Sequence, residues 1–186
     1  MTSPQSHLAT FPLLLHEGRA SLRPETPHDA SVIEAVTVAA FRAAPHSDHT
    51  EQHIVRALRA AGALSVSLVA ECDDEVVGYV AASPVVISDG APDWFGLGPV
   101  SVLPGWQGRG VGSALVEACL ARLQGRGAQG CVVLGEPGYY TRFGFRVVPG
   151  LVLPGVPPEY FTALAWGDDF PQGEVSYHPA FAATAG

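Results

Sequence analysis

Apolar residues recur at two different spacings along the chain, and the change of spacing separates predicted helices from predicted strands. Over residues 27–43 they recur every three or four positions, which predicts a helix with Thr26 as its cap. The same spacing predicts a second helix after the break at Pro45, ending at Gly62. Each helix is therefore expected to turn one face toward a core.

From residue 65 the apolar positions alternate, which is typical of strands. Alternation over residues 65–70, followed by the Asp73-Asp74 turn and the apolar segment 76–87, predicts a β-hairpin. A further strand is predicted over residues 94–103. It is apolar on both faces, and its Gly98-Pro99 pair predicts a β-bulge, because that pair cannot continue a regular ladder.

The remaining chain alternates between short apolar segments and turns rich in glycine and proline. Strands are predicted at 20–23, 131–134, 160–166 and 174–178, helices from 111 to about 125–127 and over 138–144, and an apolar segment at 145–148. Residues 1–18 show no periodicity and are expected to form a flexible arm, which leaves 19–186 as a single domain. The order of elements predicts a mixed α/β (α+β) fold, with helices packed on a mixed sheet.

Charge narrows the classes of partner. The chain of 186 residues has a net charge of -8, and its 10 basic residues are all Arg. Nucleic-acid binding depends on clustered positive charge, so no nucleic-acid partner is expected, and a neutral or cationic small substrate is favoured. The absence of Lys excludes a phosphate-loop lysine and a Schiff-base lysine.

Cysteine content and hydropathy indicate a reducing compartment. Cys72, Cys119 and Cys131 are odd in number and far apart in the sequence, which predicts neither a disulfide framework nor a zinc site. The apolar segment 11–15 is too short for a membrane span and contains Pro12, so no membrane association is expected. We therefore expect a cytoplasmic location and no metal cofactor.

A glycine-rich segment joins the predicted strand 94–103 to the helix that follows it. The segment reads Gln107-Gly108-Arg109-Gly110-Val111-Gly112. Glycines let the backbone approach an anion closely, and the free N–H groups of a helix start favour negative charge; an ordinary strand-to-helix turn is the alternative. The spacing does not fit the dinucleotide pattern Gly-x-Gly-x-x-Gly, and a nucleoside-triphosphate loop needs the Lys that this chain lacks.

Two motifs in this region resemble those of the GNAT superfamily of N-acetyltransferases. Gln107, Gly110 and Gly112 match the pattern Gln or Arg, two residues, Gly, one residue, Gly or Ala. Segment 138–145, Gly-Tyr-Tyr-Thr-Arg-Phe-Gly-Phe, resembles the second motif, in which a Tyr stands four residues before a Gly-Phe pair. The similarity is greatest to a bacterial branch with Pro-x-Tyr-Tyr-x-Arg-Phe-Gly-Phe and a terminal Tyr-His-Pro-Ala-Phe, here residues 177–181.

The resemblance implies a fold and a cosubstrate. The implied fold is a central mixed, mostly antiparallel sheet of about seven strands with about four flanking helices, a bulged fourth strand, and a splayed sheet at the cofactor site. Acetyl-CoA would lie along the bulged strand, bonded by backbone groups of Val100 and Val102. Its pyrophosphate would be held by the glycine-rich segment and the helix start, that is, by Gln107, Gly108, Arg109, Gly110, Val111, Gly112 and Ser113.

The resemblance also implies a reaction. The acetyl group would pass directly to a primary amine, with Tyr140 as the general acid at the CoA sulfur and Glu136, or an ordered water, as the general base. A small-molecule amine is favoured as the acceptor. The alternatives are a protein amine, or a catalytically silent acyl-CoA-binding or regulatory module of the same fold. The resemblance is compatible with a homodimer.

A cluster of histidine and acidic residues lies between the first two predicted helices. It consists of His46, Asp48, His49, Glu51 and His53. The spacing allows metal coordination, but Asp48 and Glu51 also have the spacing of a helix-capping pair, which is the stronger interpretation. In the arrangement that the resemblance implies, this loop overhangs the acceptor pocket, where it would contact substrate.

Overall fold

The computed structural model describes residues 11–15, 18–42 and 49–184, and this part of the chain forms four α-helices and ten β-strands. In chain order they are β1 (Phe11–Leu15), β2 (Gly18–Pro24), α1 (Ala30–Phe41), α2 (Glu51–Ala60), β3 (Val66–Cys72), β4 (Glu75–Pro84), β5 (Val86–Ile87), β6 (Trp94–Val102), α3 (Val111–Gly125), β7 (Gly130–Leu134), α4 (Pro137–Tyr140), β8 (Leu151–Val152), β9 (Phe161–Ala165) and β10 (Gly173–Ser176). None of the described helices has the length and hydropathy that crossing a membrane requires.

Seven strands form the central sheet, in the order β1-β2-β3-β4-β6-β7-β9. Neighbouring strands are antiparallel except β6 and β7, which are parallel and are connected through α3. A smaller sheet has the order β5-β10-β8. The expected mixed, mostly antiparallel fold with four helices is confirmed. The bulged strand, which was predicted as the fourth strand of the chain, is β6 in the structure. Its number is higher because β1 and the separate strand β5 also precede it.

The two faces of the central sheet pack against different helices, as the alternation of side chains along β4 shows. Val80 and Ala82 belong to a core with α3, whereas Tyr79 and Ala81 belong to a core with α1 and α2. A third core lies between the smaller sheet and the far end of the central sheet, and includes Val132. Burial of apolar residues on both faces provides the main driving force for this arrangement.

The N-terminal strands differ from the sequence-based expectation. Phe11–Leu15, within the expected arm 1–18, forms β1 and pairs antiparallel with β2. β1 is an edge strand of the central sheet, which is where proline is tolerated within a strand, so Pro12 is compatible with this position. Residues 1–10 and 16–17 lie outside the described part of the chain, so the arm stays a prediction there.

Prolines shorten two other predicted segments. The strand expected over 76–87 divides into β4, which ends at Pro84, and β5, which pairs with β10 instead. Segment 145–148 forms only a single bridge, between Arg146 and Ala163, and the chain turns at Pro149 directly after it. The later strands expected at 160–166 and 174–178 correspond to β9 and β10.

The start of α1 is joined to the sheet by polar contacts. A 3-10 turn, Pro27–Asp29, precedes the helix, and the Asp29 carboxylate accepts hydrogen bonds from the Thr26 N–H (2.6 Å) and the Thr26 hydroxyl (2.9 Å). Arg23 of β2 donates two further bonds to Asp29 and pairs with Glu71 of β3. The predicted helix over 27–43 therefore begins with a tighter turn, and residues 43–48 lie outside the described part.

Candidate active site

β6 and β7 separate from one another part-way along the central sheet. They pair over three residues each, from Trp94 to Gly96 on β6 and from Gly130 to Val132 on β7. Beyond these pairs, β6 continues along β4 and β7 continues along β9. This leaves an opening between the last residues of the two strands, which we call the β6–β7 gap.

A bulge in β6 lies beside the β6–β7 gap. The register advances by three residues on β6, from Leu97 to Val100, but by two on β4, from Ala82 to Val80. The extra residue lies in the Gly98-Pro99 pair, whose glycine has a φ of 144° that favours glycine over other residues. The bulge predicted from the sequence is therefore confirmed.

The peptide groups of Val100 and Val102 point away from β4. In an antiparallel pair, positions that exchange hydrogen bonds with the partner alternate with positions whose N–H and C=O face outward. The Leu103 N–H donates to the Val77 carbonyl of β4 (2.9 Å), so position 103 faces β4. Positions 102 and 100 therefore face outward, toward the β6–β7 gap.

Gln107 connects this strand to the glycine-rich turn. Its side-chain amide donates a hydrogen bond to the Val102 carbonyl (3.0 Å). The bond occupies the outward carbonyl of Val102 and leaves the outward N–H of the same residue directed at the gap. The first residue of the sequence motif thus fixes the end of β6.

The start of α3 presents hydrogen-bond donors. Gly108 and Gly110 have φ values of 74° and 87°, in the left-handed region that favours glycine. The first helical bond runs from the Ala114 N–H to the Gly110 carbonyl (3.0 Å), so the N–H groups of residues 111–113 have no partner within the helix. No acidic side chain lies in the first turn of α3. This arrangement favours an anion.

Two arginines lie beside this helix start. Arg109 lies over the Trp106 ring at 5.4 Å, and Arg142 lies over the Tyr139 ring at 4.7 Å. The Tyr139 hydroxyl is 2.9 Å from the position that a Cβ on Gly112 would occupy, so this ring packs on the first turn of α3. The two guanidinium groups add positive charge to the neighbourhood of the first turn of α3.

Tyr140 lies at the end of β7, on the face of the sheet that packs against α3. Its ring covers Gly135, where a Cβ would come within 2.5 Å of Tyr140 Cε2, and contacts Phe145 edge to face (5.9 Å between ring centroids). Burial, followed by the nearby Tyr139 and Cys131, raises the pKa of Tyr140 well above its usual value. The phenol therefore stays protonated and can act as a donor.

Glu136 precedes the short helix that carries Tyr140. It is the N-cap of α4, and its backbone carbonyl accepts hydrogen bonds from the N–H groups of Tyr139 (3.0 Å) and Tyr140 (3.3 Å). Its side chain is exposed. The structure thus brings Glu136 and Tyr140 to the same end of β7, with the carboxylate in contact with solvent.

This chain is similar in sequence to known proteins. A family model described as an acetyltransferase (GNAT) domain matches residues 63–147, which contain β6, the start of α3 and Tyr140. The uncharacterized N-acetyltransferase YhbS of Escherichia coli K12 is 38% identical over 127 residues, which is 68% of this chain and 73% of YhbS. The chain belongs to the GNAT acetyltransferase family.

Solved structures share the GNAT fold of this chain. A GNAT family acetyltransferase from Brucella melitensis in complex with acetyl-CoA is 51% identical, has a TM-score of 0.78, and is matched over 87% of this chain and 97% of its own. Escherichia coli YhbS in complex with CoA is 31% identical with a TM-score of 0.78, over 100% of this chain and 97% of its own. The superfamily resemblance and the classification as an N-acetyltransferase are confirmed.

Both GNAT motifs of the sequence meet at the β6–β7 gap. The predicted cofactor residues follow one another along the end of β6, the glycine turn and the start of α3: Val100, Val102, Gln107, Gly108, Arg109, Gly110, Val111, Gly112 and Ser113. The predicted catalytic residues, Tyr140 and Glu136, lie across the gap at the end of β7. Contact of these residues with a cosubstrate stays a prediction.

Sequence reasoning assigned no role to Tyr177, which the structure places at the same gap. Its ring packs on Gly96, the last residue of β6 that pairs with β7, and on Phe181 (4.6 Å between ring centroids). The available signal was the terminal Tyr-His-Pro-Ala-Phe segment. No local pattern connects that segment with β6, so only the folded chain reveals the contact.

The histidine cluster falls partly outside the described residues, which include neither His46 nor Asp48. The sequence predicted Asp48 as the N-cap of the second helix. In the structure Thr50 is the N-cap of α2, because the helix begins two residues later than predicted. His53 contacts the Arg56 guanidinium through Nδ1 (3.1 Å). Over residues 11–15, 18–42 and 49–184, no three side chains of the metal-binding types converge.

Proposed function

We propose that this GNAT chain binds acetyl-CoA and transfers its acetyl group directly to a primary amine, with a small molecule as the favoured acceptor. One observation carries the proposal: the outward peptide groups of β6 lead along the β6–β7 gap to the open N–H groups at the start of α3. A ligand with amides at one end and a pyrophosphate at the other fits this arrangement. The GNAT structures that contain acetyl-CoA or CoA support it.

The cosubstrate is held by backbone groups in this proposal. The pantetheine amides pair with the peptide groups of Val100 and Val102, as an added strand pairs with a sheet edge. The pyrophosphate accepts hydrogen bonds from the N–H groups of residues 109–113, which the turn at Gly108 and Gly110 directs toward it. Because no acidic side chain lies in the first turn of α3, nothing there repels the phosphates.

The transfer itself requires three protein groups. The neutral amine attacks the thioester carbon, the carbonyl electron pair moves to oxygen, and a backbone N–H beside the β6 bulge stabilises this oxyanion. As the C–S bond breaks, Tyr140 gives its proton to sulfur, so that CoA leaves as a thiol. The proton that the amine loses passes to Glu136, directly or through water, and Tyr140 regains a proton from solvent.

Two features favour an active enzyme with a cationic or neutral acceptor. A protonated phenol at the end of the gap serves acyl transfer, whereas a silent acyl-CoA-binding module does not need one. The net charge of -8 attracts cationic molecules and repels acidic ones. A protein amine is the second candidate within the same reaction class.

The proposal is tested by two measurements on the full-length protein. CoA and acetyl-CoA binding are measured by calorimetry, and thiol release is followed with acetyl-CoA and a panel of polyamines, amino sugars, amino acids and peptides. Thiol release that requires both acetyl-CoA and a small amine is the expected result. Release with peptides alone favours the protein-amine acceptor, and tight CoA binding without any release favours the silent module. Absence of CoA binding contradicts the proposal.

A further inference from the structure

The hydroxyl of Tyr177 is buried and has no hydrogen-bond partner in the part of the chain that the structure describes. Burial, followed by Cys131 and Tyr140, raises the pKa of Tyr177 far above its usual value. The Leu134 N–H approaches the hydroxyl and offsets a little of this rise, but its geometry falls short of a hydrogen bond. A buried polar group without a partner destabilises the fold, so its presence points to a ligand.

Tyr177 reaches the gap from the face that packs against α1 and α2. Gly96 lies opposite Ser83 of β4, and Ser83 shares a face with Ala81, which packs against those helices. A Cβ on Gly96 would collide with Tyr177 Cε1, so only glycine leaves room for the ring. The Tyr177 hydroxyl is thereby brought beside the Leu134 backbone, at the end of β7.

Tyr140 reaches the same end of β7 from the opposite face. It covers Gly135, the residue after Leu134, just as Tyr177 covers Gly96. The two phenols are close enough for Tyr140 to affect the pKa of Tyr177. Both stay protonated, so two donors from opposite faces of the sheet meet at one gap.

We propose that Tyr177 is a second catalytic tyrosine, whose hydroxyl donates a hydrogen bond to the oxygen of the transferred acyl group. This rests on the proposed function, in which an acyl thioester lies in the β6–β7 gap. A thioester has two heteroatoms, sulfur and oxygen, and the gap has two phenols. With Tyr140 at the sulfur, the second donor is left for the oxygen, alongside the backbone N–H beside the β6 bulge.

The two tyrosines act differently in this scheme. When the amine attacks, the carbonyl electron pair moves to oxygen, and the Tyr177 hydrogen bond to that oxygen shortens while the proton stays on the phenol. When the C–S bond breaks, its electron pair goes to sulfur and the proton comes from Tyr140. Tyr177 therefore completes the cycle in its starting protonation state.

Binding of matched ligands tests the contact without an acceptor. Acetyl-CoA has the carbonyl oxygen, and S-ethyl-CoA has the same two carbons on the sulfur but lacks that oxygen. The wild-type protein is expected to prefer acetyl-CoA, and Tyr177→Phe should reduce that preference by about five-fold, the worth of one hydrogen bond, with CoA affinity unchanged. With any amine that the thiol-release screen identifies, turnover should fall by about 10²-fold. An unchanged preference for acetyl-CoA overturns the proposal.

Stability separates this role from a structural one. Tyr177→Phe removes a hydroxyl that has no partner, so its Tm should equal or exceed that of the wild type. Tyr79→Phe is the matched control: the Tyr79 hydroxyl is also buried but bonds the Ser67 hydroxyl (2.9 Å), so this change should lower Tm and leave turnover intact. A lowered Tm together with weakened CoA binding in Tyr177→Phe contradicts the proposal. Failure of the proposed function shows differently, as absence of CoA binding in the wild type.

Discussion

The side-chain amide of Gln107 donates a hydrogen bond of 3.0 Å to the backbone carbonyl of Val102. This bond joins the glycine turn to the end of β6, so that the strand and the start of α3 are held in a fixed relation. The residue at the first position of the GNAT motif therefore bonds the protein backbone, and it positions the end of β6 relative to the start of α3.

Replacement of Gln107 tests this positioning role. Gln107→Ala should weaken acetyl-CoA binding by about five-fold, which corresponds to one hydrogen bond of ~1 kcal/mol, and should raise KM more than it lowers kcat. Gln124→Ala is the control, since Gln124 is exposed near the other end of α3. Steady-state kinetics and calorimetry measure both variants. Equal affinities in the two variants contradict the role.

The two motif glycines, Gly110 and Gly112, should differ in their tolerance of alanine. Gly110 has a φ of 87°, so Gly110→Ala introduces backbone strain of about 1–2 kcal/mol and should lower both Tm and CoA affinity. Gly112 is helical, and an added Cβ comes too close only to the Tyr139 hydroxyl (2.9 Å), at the end of a side chain that can move, while Val102 stays at ordinary contact distance (3.5 Å). Gly112→Ala should therefore keep both properties. Thermal unfolding with and without CoA checks this, and a similar loss in both variants contradicts it.

Tyr140→Phe should lower turnover by about 10²-fold and leave CoA affinity nearly unchanged, because it removes the acid and keeps the ring on Gly135. Gly135→Ala offers an independent test, since the added Cβ displaces the ring while its hydroxyl is retained. Thiol release and calorimetry measure both. Turnover that survives Tyr140→Phe removes Tyr140 from its role as the acid.

The alkaline pH dependence follows from the raised pKa of Tyr140. The folded-state pKa lies above the usual value of about 10, so the acid form persists and kcat should not decline near pH 10 on account of this group. The same shift contributes stability that is complete below the unfolded-state pKa and is lost as pH rises through the folded-state pKa. Thermal unfolding recorded with each rate separates the two effects. A fall in kcat centred near pH 10 in a fully folded protein contradicts this.

Glu136→Gln tests the proposed base. Removal of the carboxylate should lower kcat/KM by about ten-fold near neutral pH, with less effect at a pH where the amine is already neutral. Glu117→Gln, at an exposed position in the middle of α3, is the matched control. If the pH profiles of Glu136→Gln and wild type superimpose, water alone receives the proton.

The sequence predicts the features of this molecule that depend on neighbouring residues. The spacing of apolar positions indicates α3, and the Gly98-Pro99 pair indicates the bulge in β6. In each case the residues that produce the pattern lie within the element itself. The glycine turn at Gly108 and Gly110 is evident for the same reason: each position needs its own left-handed φ.

Features that depend on distant residues were not predictable in this way. The contact between Tyr177 and Gly96 joins a C-terminal segment to the middle of the sheet. The spacing of apolar residues along the sequence does not predict such a contact. The pairing of Phe11–Leu15 with β2 likewise depends on an available sheet edge, which the five residues themselves do not reveal. Register and long-range packing decide both cases.

The outward peptide groups of β6 also affect how the purified protein aggregates during storage. Unpaired strand edges recruit strands from other chains and promote aggregation, and here such an edge lies within the sheet, between β6 and β7. A bound ligand covers this edge as a neighbouring strand would. At a ligand concentration of 100 times Kd, binding adds about 2.7 kcal/mol to the free energy of unfolding. Protein purified and stored with CoA should therefore remain monodisperse for longer than protein stored without it.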